Sequence, residues 1–396
     1  MKLKISINNF YKQIMMINII CVLSIANATE SLGHIQTLFL GVSKVVIIIL
    51  IMLSLIYFTR ISKCCISLLS CIILPSAIYI LIRCIFNNYG FSVSSYIIVI
   101  LLYFSCIIFF HYNGEYNKIL DACIIGGYAL VFYLILSYGG IGSFLRSIQS
   151  DAIANVIVQK NILAYSMAIV VLICVYRLVY QKNKIYFLLA ILPTIVTFGT
   201  GSRRGILAIV ISITVLYILK DFNYKVLINI LMIICLIYIF YIILKQMNML
   251  YLTERLESLF SILSNEGDMI ASDQGRMNMI EYGWHMFLQN PVFGNGANAF
   301  KELSGYNIYS HNNFIELLAN FGIVGFILYY GVYVAIISKL IKIAKTGDMF
   351  SKLLLSYFIM RIVTDYGNVS YYDKFTYIMI ATGISYILKK SRCKYD

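Results

Sequence analysis

Long apolar runs dominate this sequence of 396 residues, and they restrict its possible folds more than any other feature. Hydrophobic residues make up 61% of the chain and charged residues only 12%, which is more apolar surface than a water-soluble core requires. A bilayer offers no partners to backbone polar groups, so an apolar run of about 20 residues crosses it as a helix. The sequence therefore predicts an all-α, polytopic membrane protein.

About twelve segments have the length and hydropathy of a membrane span. They are 14–28, 35–58, 65–85, 93–111, 119–138, 160–179, 185–200, 204–219, 226–243, 313–337, 353–369 and 374–388. The spans divide the chain into residues 1–243, with about nine helices, a long polar loop at 244–312, and residues 313–396, with about three helices.

The polar loop itself contains two patterns of helical spacing. Apolar residues recur from Leu252 to Leu263, which predicts a short amphipathic helix at the membrane interface. A second helix is predicted from an N-cap at Asp273 to the helix breaker Pro291. The predicted architecture is thus a helical membrane protein with one long outer loop that carries short helices.

The formal net charge of +14 does not indicate nucleic-acid binding, because the basic residues are spread among short segments between the spans. Alternate segments are enriched in lysine and arginine, so by the positive-inside rule both termini are cytoplasmic and the long loop is extracytoplasmic. This pattern predicts a multi-pass protein of the cytoplasmic (inner) membrane. The first apolar run, followed by Ala26-Asn27-Ala28, also fits a cleavable signal peptide.

The ten cysteines do not form a metal-binding pattern. Most of them lie inside apolar runs, and no CxxC spacing occurs. The histidine at the end of the long loop, His311, has no second histidine four residues on and no pair of carboxylates beside it. No metal site and no cofactor are therefore predicted.

Two adjacent arginines, Arg203 and Arg204, stand in the glycine-rich turn Gly199–Gly205 just before a span. Free N–H groups at such a turn favour an anion, and a guanidinium fork adds bidentate phosphate binding. The alternative is that both arginines anchor the span at the membrane interface.

A second group of polar residues lies at the end of the long loop, where His311, Asn312, Asn313 and Glu316 open a very apolar helix. Ionisable groups are costly near hydrocarbon, so their presence there indicates a site. His311 could orient or deprotonate a sugar hydroxyl, with Glu316 about one helical turn away. The alternative for His311 is that it only caps the helix. Arg276, upstream of this group, could belong to the same site or be a solvated surface arginine.

Two further polar stretches are ambiguous. Asp365, Tyr366, Asn368 and Asp373 between the last two spans could bind a sugar, but a simple polar hairpin explains them more economically. The stretch from Asp151 to Asn161 has the same two interpretations.

The combined pattern resembles the O-antigen ligase/polymerase superfamily of bacterial envelope glycosyltransferases. The resemblance rests on the turn at Arg203 and Arg204, on Gly275-Arg276, on Asn290-Pro291…Gly294-Asn295-Gly296, on Ser310-His311-Asn312, and on Phe321-Gly322. It covers about residues 198–330.

This resemblance implies a GT-C-like helical fold and metal-independent transfer of glycans carried on undecaprenyl diphosphate. It implies that Arg203 or Arg204 and Arg276 hold the diphosphate and that His311 lies near the acceptor. Beside His311, we expect Asn312 and Asn313 to bind the substrate. The chain would then work in the bilayer, with a flippase and a chain-length regulator as possible partners.

Three functions remain open at this point. The chain could be a polymerase of O-antigen or capsular repeat units, or the ligase that transfers finished glycan to lipid A–core. A lipid-linked oligosaccharide flippase is the third, although a transporter should show repeated halves and a polar path at the membrane midplane.

Overall fold

A computed structural model of the protein describes residues 68–114, 116–144, 160–220 and 271–392. The predicted spans at 14–28, 35–58 and 226–243 lie outside the described residues, as does the predicted helix at Leu252–Leu263. The predicted total of about twelve spans therefore stays a prediction.

The described residues are helical throughout, with turns between the helices and no β-strand. After a short 3-10 turn at Leu68–Cys71, the helices are α1 (Leu74–Phe86), α2 (Val93–Asn113), α3 (Tyr116–Ser137), α4 (Lys160–Tyr180), α5 (Ile185–Gly199), α6 (Arg203–Lys220), α7 (Ala271–Gln289), α8 (Ala299–Leu303), α9 (Asn313–Ala344), α10 (Met349–Thr364) and α11 (Lys374–Arg392). The all-α fold class is confirmed for this part of the chain.

Five of the described segments are long and apolar enough to cross a membrane, so the protein is a multi-pass membrane protein. These segments are Leu69–Phe86, Val93–Phe110, Tyr116–Ser137, Lys160–Tyr180 and Asn313–Ala344. Each coincides closely with a predicted span, because a run of apolar side chains has no other place to be buried.

The loop helix α7 differs from its prediction at one end. It ends at Gln289, before Pro291, as predicted. Its first residue is Ala271, so Asp273 lies inside the helix and the predicted N-cap at Asp273 was wrong.

The described chain forms two compact units, and the first comprises residues 117–144, 160–220 and 348–360. Here α4 packs against α5 and α6. At the contact, Gly205 lies so close to Ala164 and Thr197 that a side chain would not fit. Arg177 joins three helices, because its guanidinium is 2.6 Å from Asp121 and donates to the Tyr186 hydroxyl at 2.8 Å.

The second unit comprises residues 68–116, 271–347 and 361–392. Its central element is α9, which contacts α1, α7, α8 and α11, while α2 packs along α11. A small apolar cluster forms between α7, α8 and α9 from Met279, Met286, Ala299, Phe300 and Ala319. The segment that carries His311 leads directly into α9, so this unit positions it.

Candidate active site

The loop helix α7 runs parallel to the first turns of α9. Gly283 lies directly against the Ile315 side chain, and one amide nitrogen, Asn295 Nδ2, donates to the carbonyls of both Met286 and Ala319. The two helices therefore run in the same direction. Since α7 begins at Ala271 and α9 at Asn313, α7 extends beyond the start of α9 at this end of the pair.

Arg276 lies on the face of α7 that packs against α9. It precedes Met279, Gly283 and Met286 at spacings of three, seven and ten residues, which is one helical stripe. The stripe is buried from Met279 onward, and Arg276 is half-buried at its open end. By the parallel register, Arg276 and His311 lie toward the same end of this helix pair.

His311 occupies an unusual backbone position immediately before α9. Its φ is 56°, in the left-handed region that costs most side chains about 1 kcal/mol or more. The imidazole is half-buried, and its ring centroid lies 4.3 Å from that of Tyr309. The backbone thus turns out of the loop at His311 and presents an aromatic pair at the head of the helix.

The residues on either side of His311 fix this turn. Asn312 caps α9, because its side-chain oxygen accepts hydrogen bonds from the N–H groups of Phe314 (3.0 Å) and Ile315 (3.2 Å). On the other side, the Ser310 hydroxyl donates to the Asn312 carbonyl at 2.8 Å. Hydrogen bonds made by the residues on both sides therefore fix the backbone at His311.

Glu316 is buried beneath this turn and is used by the fold. One carboxylate oxygen accepts from the Ser310 N–H at 2.7 Å, and the other accepts from the Asn320 side-chain amide at 3.2 Å. Asn320 in turn accepts from the Phe300 N–H at 2.8 Å. Glu316 thus links the His311 turn to α9 and α8 through bonds on both of its oxygens.

Asn313 is completely buried, and all four of its side-chain hydrogen-bonding positions are filled. Its oxygen accepts from the N–H groups of Ser370 (2.8 Å) and Tyr371 (3.2 Å). Its nitrogen donates to the Tyr330 hydroxyl (2.8 Å) and to Asp365 (3.3 Å). The amide therefore joins the start of α9 to the turn between α10 and α11.

Asp365 corrects the expectation of a simple polar hairpin in this turn. It is 0% exposed, 3.1 Å from the buried Arg361 guanidinium, and it accepts from the Tyr330 hydroxyl at 2.9 Å. Burial raises the pKa of the Asp365 carboxyl to about 6, against the opposing effect of Arg361. Asp373 matches the hairpin interpretation better, because it caps α11.

A glycine-rich loop is packed against a kink in α9. We call this contact the glycine clamp, formed by residues 291–297 against residues 319–324. The N–H groups of Asn295 and Gly296 donate to the carbonyls of Ala319 (3.0 Å) and Asn320 (2.9 Å). On the other side of the kink, Ile323 and Val324 donate to the carbonyls of Pro291 (2.9 Å) and Val292 (3.3 Å).

The glycines allow the two backbones of the clamp to touch. A side chain on Gly294 would overlap the Asn320 carbonyl, and one on Gly322 would overlap the Val292 carbonyl. Both residues have positive φ, 73° and 63° respectively, which glycine adopts without cost. The N–H groups from Gly294 to Ala297 are all bonded to backbone carbonyls, so this turn is a packing contact and offers them to no anion.

The other arginine segment belongs to the first unit and is described by itself. Arg203 is the first residue of α6, and both Arg203 and Arg204 are half-buried. The expectation of free N–H groups in the preceding turn was wrong in part. The Thr200 and Ser202 hydroxyls accept from the N–H groups of Ser202 (3.2 Å) and Gly205 (3.4 Å).

Ser202 also connects this turn to the neighbouring helix, since its hydroxyl donates to the Asn161 side chain at 2.7 Å. The polar group at Asn161 thereby contributes to the placement of the arginine turn. Within the ranges that the structure describes, no group of three or more His, Cys, Asp or Glu side chains comes together.

Comparison with known proteins gives a match over part of the chain. Residues 187–330 match the Wzy_C family model, which is described as O-Antigen ligase. This part of the chain is therefore similar to the O-antigen ligase/polymerase superfamily. The superfamily match includes both arginine segments, the glycine clamp and the turn at His311.

One curated protein to which the chain is similar is the teichuronic acid biosynthesis protein TuaE of Bacillus subtilis (strain 168). It is 36% identical to this chain over 83 residues. The aligned stretch covers 19% of this chain and only 17% of the relative. The likeness to that relative is therefore local.

Two residues at the glycine clamp were missed by the sequence analysis, and both lie on α1. The Arg83 Nη2 donates to the Gly294 carbonyl at 2.9 Å, and the Tyr79 hydroxyl lies 3.1 Å from the Phe293 carbonyl. A tyrosine and an arginine four residues apart in the last turns of a span resemble an ordinary interfacial anchor. The only sequence signal was that they share one helix face.

Proposed function

We propose that this protein polymerises oligosaccharide repeat units, carried on undecaprenyl diphosphate, into O-antigen or capsular polysaccharide at the outer face of the cytoplasmic membrane. The observation that carries the proposal is that His311, in a left-handed turn just before α9, and Arg276, on the face of α7 that packs against α9, lie toward the same end of this helix pair. Both residues lie in the part of the chain that matches the superfamily.

On the donor side, the chemistry needs stabilisation of negative charge. When the bond between the sugar C1 and the diphosphate oxygen breaks, the diphosphate leaves with the electron pair. We assign Arg276 to bind the diphosphate, because fixed guanidinium groups in a water-poor site stabilise such charge strongly. A diphosphate-binding role for Arg203 or Arg204 stays an expectation from the superfamily resemblance. A diphosphate is already a good leaving group, so no metal step is needed in this scheme.

On the acceptor side, a sugar hydroxyl forms the new bond to C1 and gives up its proton. We assign His311 as the base that receives this proton, since a neutral imidazole suits that task. Attack from the face opposite the diphosphate inverts the anomeric centre. The transferase would thus be an inverting enzyme.

The other predicted site residues are assigned to positioning. Glu316 was expected to act as a catalytic helper, but each of its oxygens already accepts a structural hydrogen bond. We therefore propose that Glu316 acts through Ser310 on the backbone of His311. Asn312 and Asn313, expected to bind glycan, hold the same turn by capping α9 and by bonding to Asp365.

Polymerase is preferred to ligase on the name of the relative, which refers to biosynthesis of teichuronic acid and not to attachment of a glycan to lipid A–core. The ligase is the second candidate, because the description of the family model favours it. A flippase and a chain-length regulator would be the partners of the polymerase.

The decisive experiment is a gel of surface polysaccharide from a deletion strain that carries wild type, Arg276→Ala, His311→Ala or Lys301→Ala. Lys301 is the control, because it is a basic residue of the same loop region on α8. Arg276→Ala and His311→Ala should collapse the ladder to one repeat unit on its normal anchor, while Lys301→Ala keeps it.

Each other pattern has a distinct meaning. Long chains that accumulate on the lipid carrier and never reach their acceptor would identify a ligase. Normal ladders in the Arg276→Ala and His311→Ala strains, with both proteins present in the membrane, would reject the proposed site.

A further inference from the structure

Arg83 has hydrogen-bonding capacity that the fold does not use. Of its donors, Nη2 bonds to the Gly294 carbonyl at 2.9 Å. Its Nε is buried and has no hydrogen-bond partner among the described residues. A buried donor without an acceptor is unfavourable, so the hydrogen bonds of the described fold do not by themselves account for an arginine here.

Among the described residues, no acid forms an ion pair with Arg83. The two ion pairs found in the described part of the chain, Arg177–Asp121 and Arg361–Asp365, do not involve it. Arg83 lies in the last turn of α1, within the candidate span Leu69–Phe86. An arginine in a span without a carboxylate partner indicates a functional group or an interfacial anchor.

A purely structural role does not require an arginine at this place. Tyr79, one turn earlier on the same face of α1, already bonds to the clamp through the carbonyls of Phe293 (3.1 Å) and Phe321 (3.0 Å). Tyr89 and Ala297 add backbone bonds between the same two segments. Neutral hydrogen bonds therefore already hold α1 to the clamp, and this contact does not require the positive charge of the Arg83 guanidinium.

Apolar side chains surround Arg83 in the sequence and are exposed. On α1, Ile82, Ile85 and Phe86 are exposed, with Phe86 73% exposed. On the clamp, Val292 and Phe293 are exposed next to Gly294, whose carbonyl Arg83 binds. A single cation among exposed apolar side chains is suited to bind a lipid in which a phosphate is attached to a hydrocarbon chain.

We propose that Arg83 binds the phosphate of a membrane lipid at the glycine clamp and that this lipid is the polyprenyl diphosphate of the donor glycan. The inference rests on the proposed function for the identity of the lipid. The shared chemistry is a phosphate ester with an apolar chain, and a phospholipid headgroup is the other source of it.

The test measures binding without turnover. Purified full-length protein in neutral detergent is titrated with farnesyl diphosphate by calorimetry, for wild type, Arg83→Gln, Arg83→Lys and Tyr79→Phe. Arg83→Gln should weaken binding about tenfold or more, and Arg83→Lys by less, because a charge-assisted hydrogen bond is removed in the first and replaced by a weaker one in the second. Tyr79→Phe should bind within about twofold of wild type, since it loses a clamp bond but no charge.

A competition arm separates the two lipids. Phosphatidylglycerol at equal concentration should not displace farnesyl diphosphate, and displacement would assign the site to phospholipid and overturn the substrate identity. Equal losses in Arg83→Gln and Tyr79→Phe would show that Arg83 acts only on the clamp. Unchanged binding in Arg83→Gln would reject the phosphate site. Because no transfer is measured, a failure of the polymerase assignment leaves this result interpretable.

Discussion

Gly294 and Gly322 lie back to back at the kink of α9, so close that a side chain on Gly322 would overlap the Gly294 nitrogen. Each glycine therefore makes room for the backbone that carries the other. This contact fastens the loop that follows α7 to the helix that follows His311.

Replacing either glycine with alanine should open the glycine clamp. Gly294→Ala and Gly322→Ala combine a backbone clash with a positive φ, and we expect each to destabilise the protein by about 3 kcal/mol or more. Gly331→Ala in the same helix is the control, because open space surrounds that position, and it should be neutral or slightly stabilising. Thermal unfolding in detergent measures the difference. Equal midpoints for all three variants would contradict the clamp.

A second prediction concerns the buried contact between Asn313 and Asp365. Asn313→Asp places a second carboxylate beside the first and removes two donors, so we expect a loss of about 2–4 kcal/mol and of activity. Asp365→Asn leaves the Arg361 charge without its carboxylate and should be similarly harmful.

The double variant Asn313→Asp with Asp365→Asn should recover part of both losses, since an amide again faces a carboxylate. Unfolding midpoints and transfer rates for the four proteins form a double-mutant cycle. A double variant that loses the sum of the two single losses would show that the two side chains do not act together.

A third prediction separates the backbone role of His311 from its imidazole. Asparagine and glycine accept a positive φ, so His311→Asn and His311→Gly should fold within about 1 kcal/mol of wild type. Both should lower the transfer rate by about 10²–10⁴-fold, because the proton acceptor is gone. Rates are measured on membranes with lipid-linked repeat units, and the unfolding midpoint is measured on the same preparations. A His311→Asn protein as active as wild type would remove the histidine from the chemistry.

The five spans found among the described residues were predictable from the sequence because they depend on local hydropathy. The predicted range 160–179 matches the helix Lys160–Tyr180, and the end of α7 before Pro291 was equally local. The superfamily resemblance was predictable for the same reason, since its motifs are short and contiguous.

The contacts around the site were not predictable, because they join residues far apart in the chain. Asp365 looked like a hairpin residue, and only the fold brings it to Asn313. Arg83 was not singled out from the sequence at all, because its contact with Gly294 joins residues 211 positions apart. Glu316 was correctly placed near His311 by helical spacing, but its bond to Ser310 depends on a loop conformation that the sequence pattern does not encode.

The glycine clamp has a consequence for how related sequences are recognised. Its N–H groups from Gly294 to Ala297 are all hydrogen-bonded within the fold. The glycines of the motif therefore mark a packing contact, or joint, between a loop and a helix. A pattern search that weights these glycines will retrieve proteins that share the joint, including any that have lost the histidine or the arginines. If the proposed roles of Arg276 and His311 are right, such chains would keep the shape and lack the reaction, and the residues at the two equivalent positions would distinguish them.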